Sequence, residues 1–347
     1  MIHRLFYYLL LNYVNLGLNL FFKKLKVVGS SNIPDKDPVI FVANHQNALI
    51  DALLVVTQNK RKTHFVARAD VFKRPFLKKL LALIYMMPIY RIRDGRHSLF
   101  LNDEIFERCK SVLLKGESFM IFPEGNHSFD RRLRPLSKGF TRIALGALDV
   151  NKDLNLKVVP VGINYTDHQK YRGSVSLYFG DPIDVKKLYT GDFNIDSAKL
   201  KEAVAKRLKT LITHIEDQRS YNEQLQRLTA TNPDFLNPFD TNLRLQNLDN
   251  YQPEPAKKPE MGIMKLLKLP FVLNAILPLS IWLMIKRGIK DPVMVASIKF
   301  CVGIFLFPVF LVLQSLSVTY WLGDWAGILY FIISLAGMPL ISSVMSK

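Results

Sequence analysis

A chain of 347 residues accommodates one large domain or two smaller ones, and its 47 lysines and arginines exceed its 29 acidic residues for a net charge of +18. Cys109 and Cys301 lie in very different regions, so neither a disulfide framework nor a cysteine metal site is suggested. Charge is uneven: residues 261–347 hold only nine charged side chains, while residues 1–260 hold 40 basic against 27 acidic ones. That excess suits an anionic partner: a phospholipid surface, a phosphorylated substrate or nucleic acid.

In chain order, residues 5–22 are apolar with Asn12, Asn15 and Asn19 interspersed. No small-residue cleavage site follows, and Lys23-Lys24 does. Residues 1–24 are therefore read as a membrane-interface helix with Tyr7, Tyr8 and Tyr13 at headgroup depth, in preference to a signal peptide or a full span. Residues 26–34 read as a strand and turn. The apolar run Val39 to Ala43 then ends at Asn44-His45, a polar turn follows, and Asp51 opens into a second apolar run. This pattern predicts strand, turn, helix. A histidine near neutral pKa can take a proton from a hydroxyl, and a nearby carboxylate can fix its tautomer. No serine or cysteine partner is recognisable, so the natural nucleophile is a hydroxyl on the substrate.

Thr63 to Ala67 predicts a strand, Pro75 to Ile84 a helix, and Met87 to Ile92 a strand running into Arg91, Arg93 and Arg96. Residues 102–116 predict an amphipathic helix, with Ile105, Phe106, Cys109, Val112 and Leu113 on one face, Asn102 as its cap and Gly116 at its end. Ser118 to Phe122 predicts a strand that runs into Pro123-Glu124-Gly125-Asn126-His127-Ser128. Arg131, Arg132 and Arg134 follow as a solvated or lipid-facing patch, then a helix over 137–148. Leu156 to Ile163 and Val175 to Phe179 are further strands, and the alternation predicts an α/β domain: a mixed sheet flanked by helices, with active residues on loops at strand ends. Residues 197–228 predict one charged helix, and 229–262, rich in Pro, Asn, Asp and Gln, a linker.

The last part, residues 263–347, reads as membrane region. Residues 300–320 and 325–344 are each apolar and long enough to span. Lys299 precedes and Lys347 follows this pair, and no basic residue lies between them, so both ends belong in the cytoplasm. Residues 269–285 are interrupted by Pro270, Asn274 and Pro278 and carry basic flanks on both sides. They are read as re-entrant or spanning.

Four ordered blocks carry a family resemblance: NHQNALID at 44–51, PIYRIR at 88–93, FPEGNHS at 122–128 and VVPVGI at 158–163. Together they resemble the phospholipid/glycerol acyltransferase family over residues 25–185, within an acyltransferase domain placed at 25–228. FPEG, in this order and spacing, is the most diagnostic. The resemblance implies a glycerol-3-phosphate acyltransferase-like fold with His45 as general base and Asp51 as its orienting partner. It implies substrate contacts from Arg91, Glu124, Gly125, Asn126 and Lys138. Arg91 suits a phosphate, because guanidinium binds phosphate bidentately. Glu124 would bond an acceptor hydroxyl or hold Arg91, and Pro160 would shape the site floor or the acyl channel. No metal or bound cofactor is implied.

Two features depart from the family pattern. Five residues separate His45 from Asp51 where four are usual; the extra one would rotate Asp51 by about 100° if it lay in the helix. Five-residue spacing resembles the fungal glycerol-3-phosphate/dihydroxyacetone-phosphate branch. The third block reads Glu-Gly-Asn-His-Ser where Glu-Gly-Thr-Arg-Ser is usual, which implies either that His127 or Arg131 replaces the missing arginine or that the acceptor headgroup differs.

The expectation is a membrane O-acyltransferase with its active site facing the cytoplasm. It would move a fatty acyl group from acyl-CoA or acyl-carrier protein to 1-acylglycerol 3-phosphate among membrane phospholipids, with glycerol 3-phosphate or dihydroxyacetone phosphate as the alternative acceptor. A catalytically inactive lipid-binding scaffold is the rival outside enzymes. A hydrolase lacks its Gly-x-Ser-x-Gly elbow, and no nucleic-acid motif is present.

Overall fold

The computed structural model describes residues 2–73, 75–90, 96–251 and 264–338. Eight strands form one sheet: β1 (Lys24–Val28), β2 (Val39–Ala43), β3 (Thr63–Arg68), β4 (Met86–Ile89), β5 (Ser118–Ile121), β6 (Lys157–Tyr165), β7 (Ser174–Phe179) and β8 (Ile183–Asp184). Their order is β1-β7-β6-β2-β5-β3-β4, with β8 also on β6. The run β6-β2-β5-β3-β4 is parallel, whereas β7 and β8 meet β6 antiparallel. The mixed sheet flanked by helices is thus present.

β2 lies at the centre, and all five of its residues are fully buried. Both faces are covered, which is why it reads as an unbroken apolar run. Side chains alternate between two layers. Ile40 and Val42 face α4 (Arg96–Leu114), α5 (Gly139–Val150) and α6 (Phe193–Leu211). Val39, Phe41 and Ala43 face α1 (Ile2–Phe21), α2 (Ala48–Gln58) and α11 (Met294–Leu322).

Three readings change. Residues 197–228 are not one helix: α6 stops at Leu211 and α7 (Tyr221–Ala230) starts anew. Ile212 is extended, because it and Ile215 turn into the core while Thr213 N–H bonds Asn164 Oδ1 at 3.1 Å. The supposed linker holds α8 (Pro238–Gln246), capped by Asn237 and joined to the domain through Thr241 and Thr213 hydroxyls 2.8 Å apart. Asn102 is no helix cap. It lies inside α4, and its amide clasps Tyr90, accepting from the N–H at 2.9 Å and donating to the carbonyl at 2.7 Å.

At the C-terminal end, α9 (Met264–Asn274) and α10 (Ile276–Arg287) meet at Ala275. α11 has 29 residues and is the one helix among those described that is long and apolar enough to cross a membrane. α12 (Asp324–Gly337) returns along it after Gly323, and a Cβ on Gly327 would lie 1.8 Å from Thr319 Oγ1, so the two helices touch where only glycine fits. The run read as 325–344 continues beyond residue 338, outside the described residues.

Candidate active site

β2 delivers Asn44 and His45 to the C-terminal edge of the sheet. Asn44 is locked to β6: its Oδ1 accepts from Ile163 N–H at 2.7 Å and its Nδ2 donates to the Ile163 carbonyl at 3.0 Å. His45 therefore leaves a rigid support. Its Nδ1 lies 2.9 Å from Asp51 Oδ2. The same oxygen accepts the N–H groups of Gln46 at 2.7 Å and Asn47 at 2.6 Å, and Oδ1 accepts the Tyr165 hydroxyl at 2.6 Å. Asp51 has no exposed surface, and these donors offset the cost of burying its carboxylate. Burial, then the Asp51 charge, pushes the Tyr165 hydroxyl well above its ordinary pKa, so it keeps its proton and donates.

The extra residue between His45 and Asp51 is taken up in the turn. α2 starts only at Ala48, whose φ is +42°, and Asp51 falls in the first helical turn. Ile50 N–H bonds the Asn47 carbonyl at 3.1 Å. A left-handed alanine costs on the order of 1–2 kcal/mol. The gain is a dyad that does not suffer the helical rotation.

The His45 ring stacks on Phe122, with centroids 4.0 Å apart and planes at 11°. Its side chain is 15% exposed, and Nε2 has no hydrogen-bond partner among the described residues. A ring anchored at Nδ1 with Nε2 open toward solvent can accept a proton at Nε2.

The third block forms a turn closed by Gly125 N–H on the Phe122 carbonyl at 3.2 Å. Gly125 has φ +74°, a conformation that glycine adopts without strain. The Glu124 side chain is 2% exposed and paired with Arg134. The same guanidinium donates to the side-chain and backbone oxygens of Asn126, and to the His45 carbonyl at 3.2 Å. Glu124 Oε1 is buried without a hydrogen-bond partner among the described residues. Burial raises the Glu124 carboxyl to about 7 against the downward pull of Arg134, and the Asp51 charge adds to the rise.

His45, Asp51, Glu124 and Asn126 thus converge, with Gly125 making the turn between the last two. Lys138 is an exposed residue preceding α5, and its side chain has no hydrogen bond or ion pair among the described residues. Arg91 lies outside the described residues. Arg131 is neither solvated nor a substitute for the missing arginine: it is buried, donates to the Tyr165 carbonyl at 2.8 Å and packs on the Phe235 ring at 3.6 Å. His127 pairs with Asp291 at 2.9 Å.

Tyr165, Phe122 and Arg134 are the partners that sequence reasoning missed. Tyr165 stands two positions beyond the fourth block, and Phe122 opens the third, so both were within sight. Arg134 gave no signal that separated it from Arg131 and Arg132. Also unforeseen is the docking of α11 beside the dyad. Ser297 Oγ bonds the Asn47 carbonyl and the Ile50 N–H, while Lys299 donates to the Gln169 carbonyl at 2.8 Å.

A parallel-centred α/β domain with an anchored histidine at a strand end defines the class, and the acyltransferase family profile matches residues 24–164. The match covers 141 of the 347 residues. Glycerol-3-phosphate O-acyltransferase 1 of Saccharomyces cerevisiae is 24% identical over 315 residues, 65% of this chain and 41% of that protein. The chloroplastic 1-acyl-sn-glycerol-3-phosphate acyltransferase BAT2 of Brassica napus is 33% identical over 125 residues, 35% of this chain and 34% of that protein. The chain therefore spans less than half the length of either relative. The crystal structure of the 1-acyl-sn-glycerophosphate acyltransferase PlsC from Thermotoga maritima aligns with a TM-score of 0.41 at 23% identity, covering 56% of this chain and 76% of that one.

Proposed function

We propose that the protein is a membrane O-acyltransferase that transfers a fatty acyl group from acyl-CoA or acyl-carrier protein to the free hydroxyl of 1-acylglycerol 3-phosphate. The observation that carries this reading is the His45–Asp51 pair, closed at Nδ1 and open at Nε2. Nε2 takes the acceptor hydroxyl proton as the oxygen attacks the thioester carbonyl carbon. The C–S bond breaks, the thiolate leaves, and the imidazolium returns the proton to it. Asp51 holds the tautomer and stabilises the imidazolium; Tyr165 and the two turn amides hold Asp51. Glu124 Oε1 accepts an acceptor hydroxyl, and Asn126 keeps Arg134 against Glu124. Arg91 is assigned to the acceptor phosphate, and Lys138 to a peripheral contact, on the family resemblance.

The membrane assignment rests on α11 and on the apolar α12 beside it. The basic residues Lys286, Arg287 and Lys290 lie before α11, and by the positive-inside bias they support a cytoplasmic start of α11 with the active site facing the same side. Transfer is tested with purified protein in phospholipid, labelled acyl-CoA and acyl-carrier protein donors, and 1-acylglycerol 3-phosphate, glycerol 3-phosphate or dihydroxyacetone phosphate as acceptor. Product that disappears in His45→Ala supports the enzyme; no product from any acceptor supports the scaffold.

A second acceptor reading has its own support. The match with the yeast glycerol-3-phosphate O-acyltransferase extends well past the family domain, and the five-residue spacing points the same way. Glycerol 3-phosphate as the sole productive acceptor in the same assay decides for it.

A further inference from the structure

The sheet separates two unlike layers. α1, α2 and the long apolar α11 cover one face; α4, α5 and α6 cover the other. On the second side a cleft of about 350 Å³ opens between residues 132–136 and α6, lined by Arg132, Leu133, Arg134, Lys201 and Lys209, with Glu202 as its acid. Arg134 joins the cleft to the site, since its guanidinium also reaches the His45 carbonyl.

The cations differ in what they already hold. Arg134 is paired with Glu124, and Lys209 donates to both oxygens of Glu216 at 2.7 Å. Arg132 and Lys201 have no hydrogen bond or ion pair among the described residues, and Arg132 Nε is buried. Arg132 is not loose. Arg131 N–H donates to the Tyr221 hydroxyl at 2.7 Å, Ile215 N–H to the Arg131 carbonyl at 2.9 Å, and Leu133 N–H to His214 Nδ1 at 3.0 Å. The backbone on both sides of Arg132 is thus pinned, and its Nε is buried without a hydrogen-bond partner among the described residues, although the Asp217 carboxylate is near enough to feel its charge. Such a group loses solvation without return unless a ligand meets it.

We propose that this cleft binds the diphosphate of a nucleotide-linked acyl donor of the coenzyme A type, with Arg132 and Lys201 as its two cations. The proposal rests on the acyl-transfer reading. Guanidinium and ammonium together match a ligand bearing adjacent phosphates. A water-soluble carrier reaches the site from the layer opposite α11, whereas an acceptor dissolved in the bilayer arrives from the α11 side. The two substrates therefore approach His45 from opposite faces of the sheet.

The test uses the full chain in phospholipid nanodiscs and the variants Arg132→Ala, Lys201→Ala and the double variant. Calorimetric binding of coenzyme A is compared with that of pantetheine, which has no phosphate. Coenzyme A binds, pantetheine does not, and the double variant weakens coenzyme A binding by about tenfold or more. In turnover, the KM for acyl-CoA rises by a similar factor while kcat and the acceptor KM stay unchanged. Equal binding of pantetheine, undiminished binding in the double variant, or a rise confined to the acceptor KM overturns the proposal. Binding is measured without turnover, so absence of acyl transfer by the wild type overturns the enzymatic reading and leaves the cleft to be judged by calorimetry.

Discussion

Ser297 Oγ donates to the Asn47 carbonyl at 3.2 Å across 250 positions of sequence, and accepts the Ile50 N–H at 3.3 Å. It bonds the turn that absorbs the extra residue between His45 and Asp51, and it belongs to a helix outside the family domain. Ser297→Ala removes both bonds from a buried position. The expected result is a kcat about three- to tenfold lower, the equivalent of about 1 kcal/mol, with acceptor KM unchanged and partial recovery in Ser297→Thr. Equal kcat in wild type and Ser297→Ala would show that the turn holds without the helix.

Asp51 is expected to matter through geometry more than charge alone. Asp51→Asn presents an amide to Nδ1 and favours the wrong tautomer, which lowers kcat by about 10²- to 10⁴-fold. Tyr165→Phe leaves Asp51 Oδ1 without its 2.6 Å donor and costs about 1–3 kcal/mol of stability. Steady-state kinetics and thermal unfolding of both variants separate the two effects.

Glu124 gives the fold a pH dependence. Its carboxyl is raised from 4.5 to about 7, chiefly by burial. Between those values the folded protein binds more protons than the unfolded chain, so stability falls as pH rises. The contribution of protonated Glu124 is complete below about 4.5 and lost as pH passes about 7, a change of about 3 kcal/mol. Melting temperatures of wild type and Glu124→Gln, taken from pH 5 to 8, should move toward or past one another by that trend. Parallel curves would contradict it.

Ala48 is held at φ +42°. Ala48→Gly removes the strain and is expected to leave stability unchanged or raise it by up to about 1 kcal/mol. Ala48→Val, β-branched and buried, should cost about 2 kcal/mol or more and lower activity with it. Denaturation midpoints check the order; a valine as stable as glycine would mean that the turn relaxes to another conformation.

Much of the domain was legible from local pattern. β2 announced itself as a continuous apolar run because both its faces are covered, and the dyad was visible because a strand, a turn and a first helical turn are local objects. The condition on the extra residue was also legible: only a turn could absorb it, and Ala48 shows how this is done. The linker and the single charged helix were misread because composition reports polarity and not partners. Thr241 meets Thr213, Asn242 meets Ile212, and Thr213 in turn meets Asn164 of β6, contacts that no short window contains.

The amino-acid sequence by itself determined the α/β class, the order of the four blocks, the histidine and the carboxylate, because each depends on residues within a few positions of one another. Only the tertiary structure decided which of three neighbouring arginines meets Glu124, that Tyr165 closes the second oxygen of Asp51, and that Ser297 bonds the turn between His45 and Asp51. Those pairings join positions far apart along the chain, and their geometry exists only after the sheet and its two helical layers have packed.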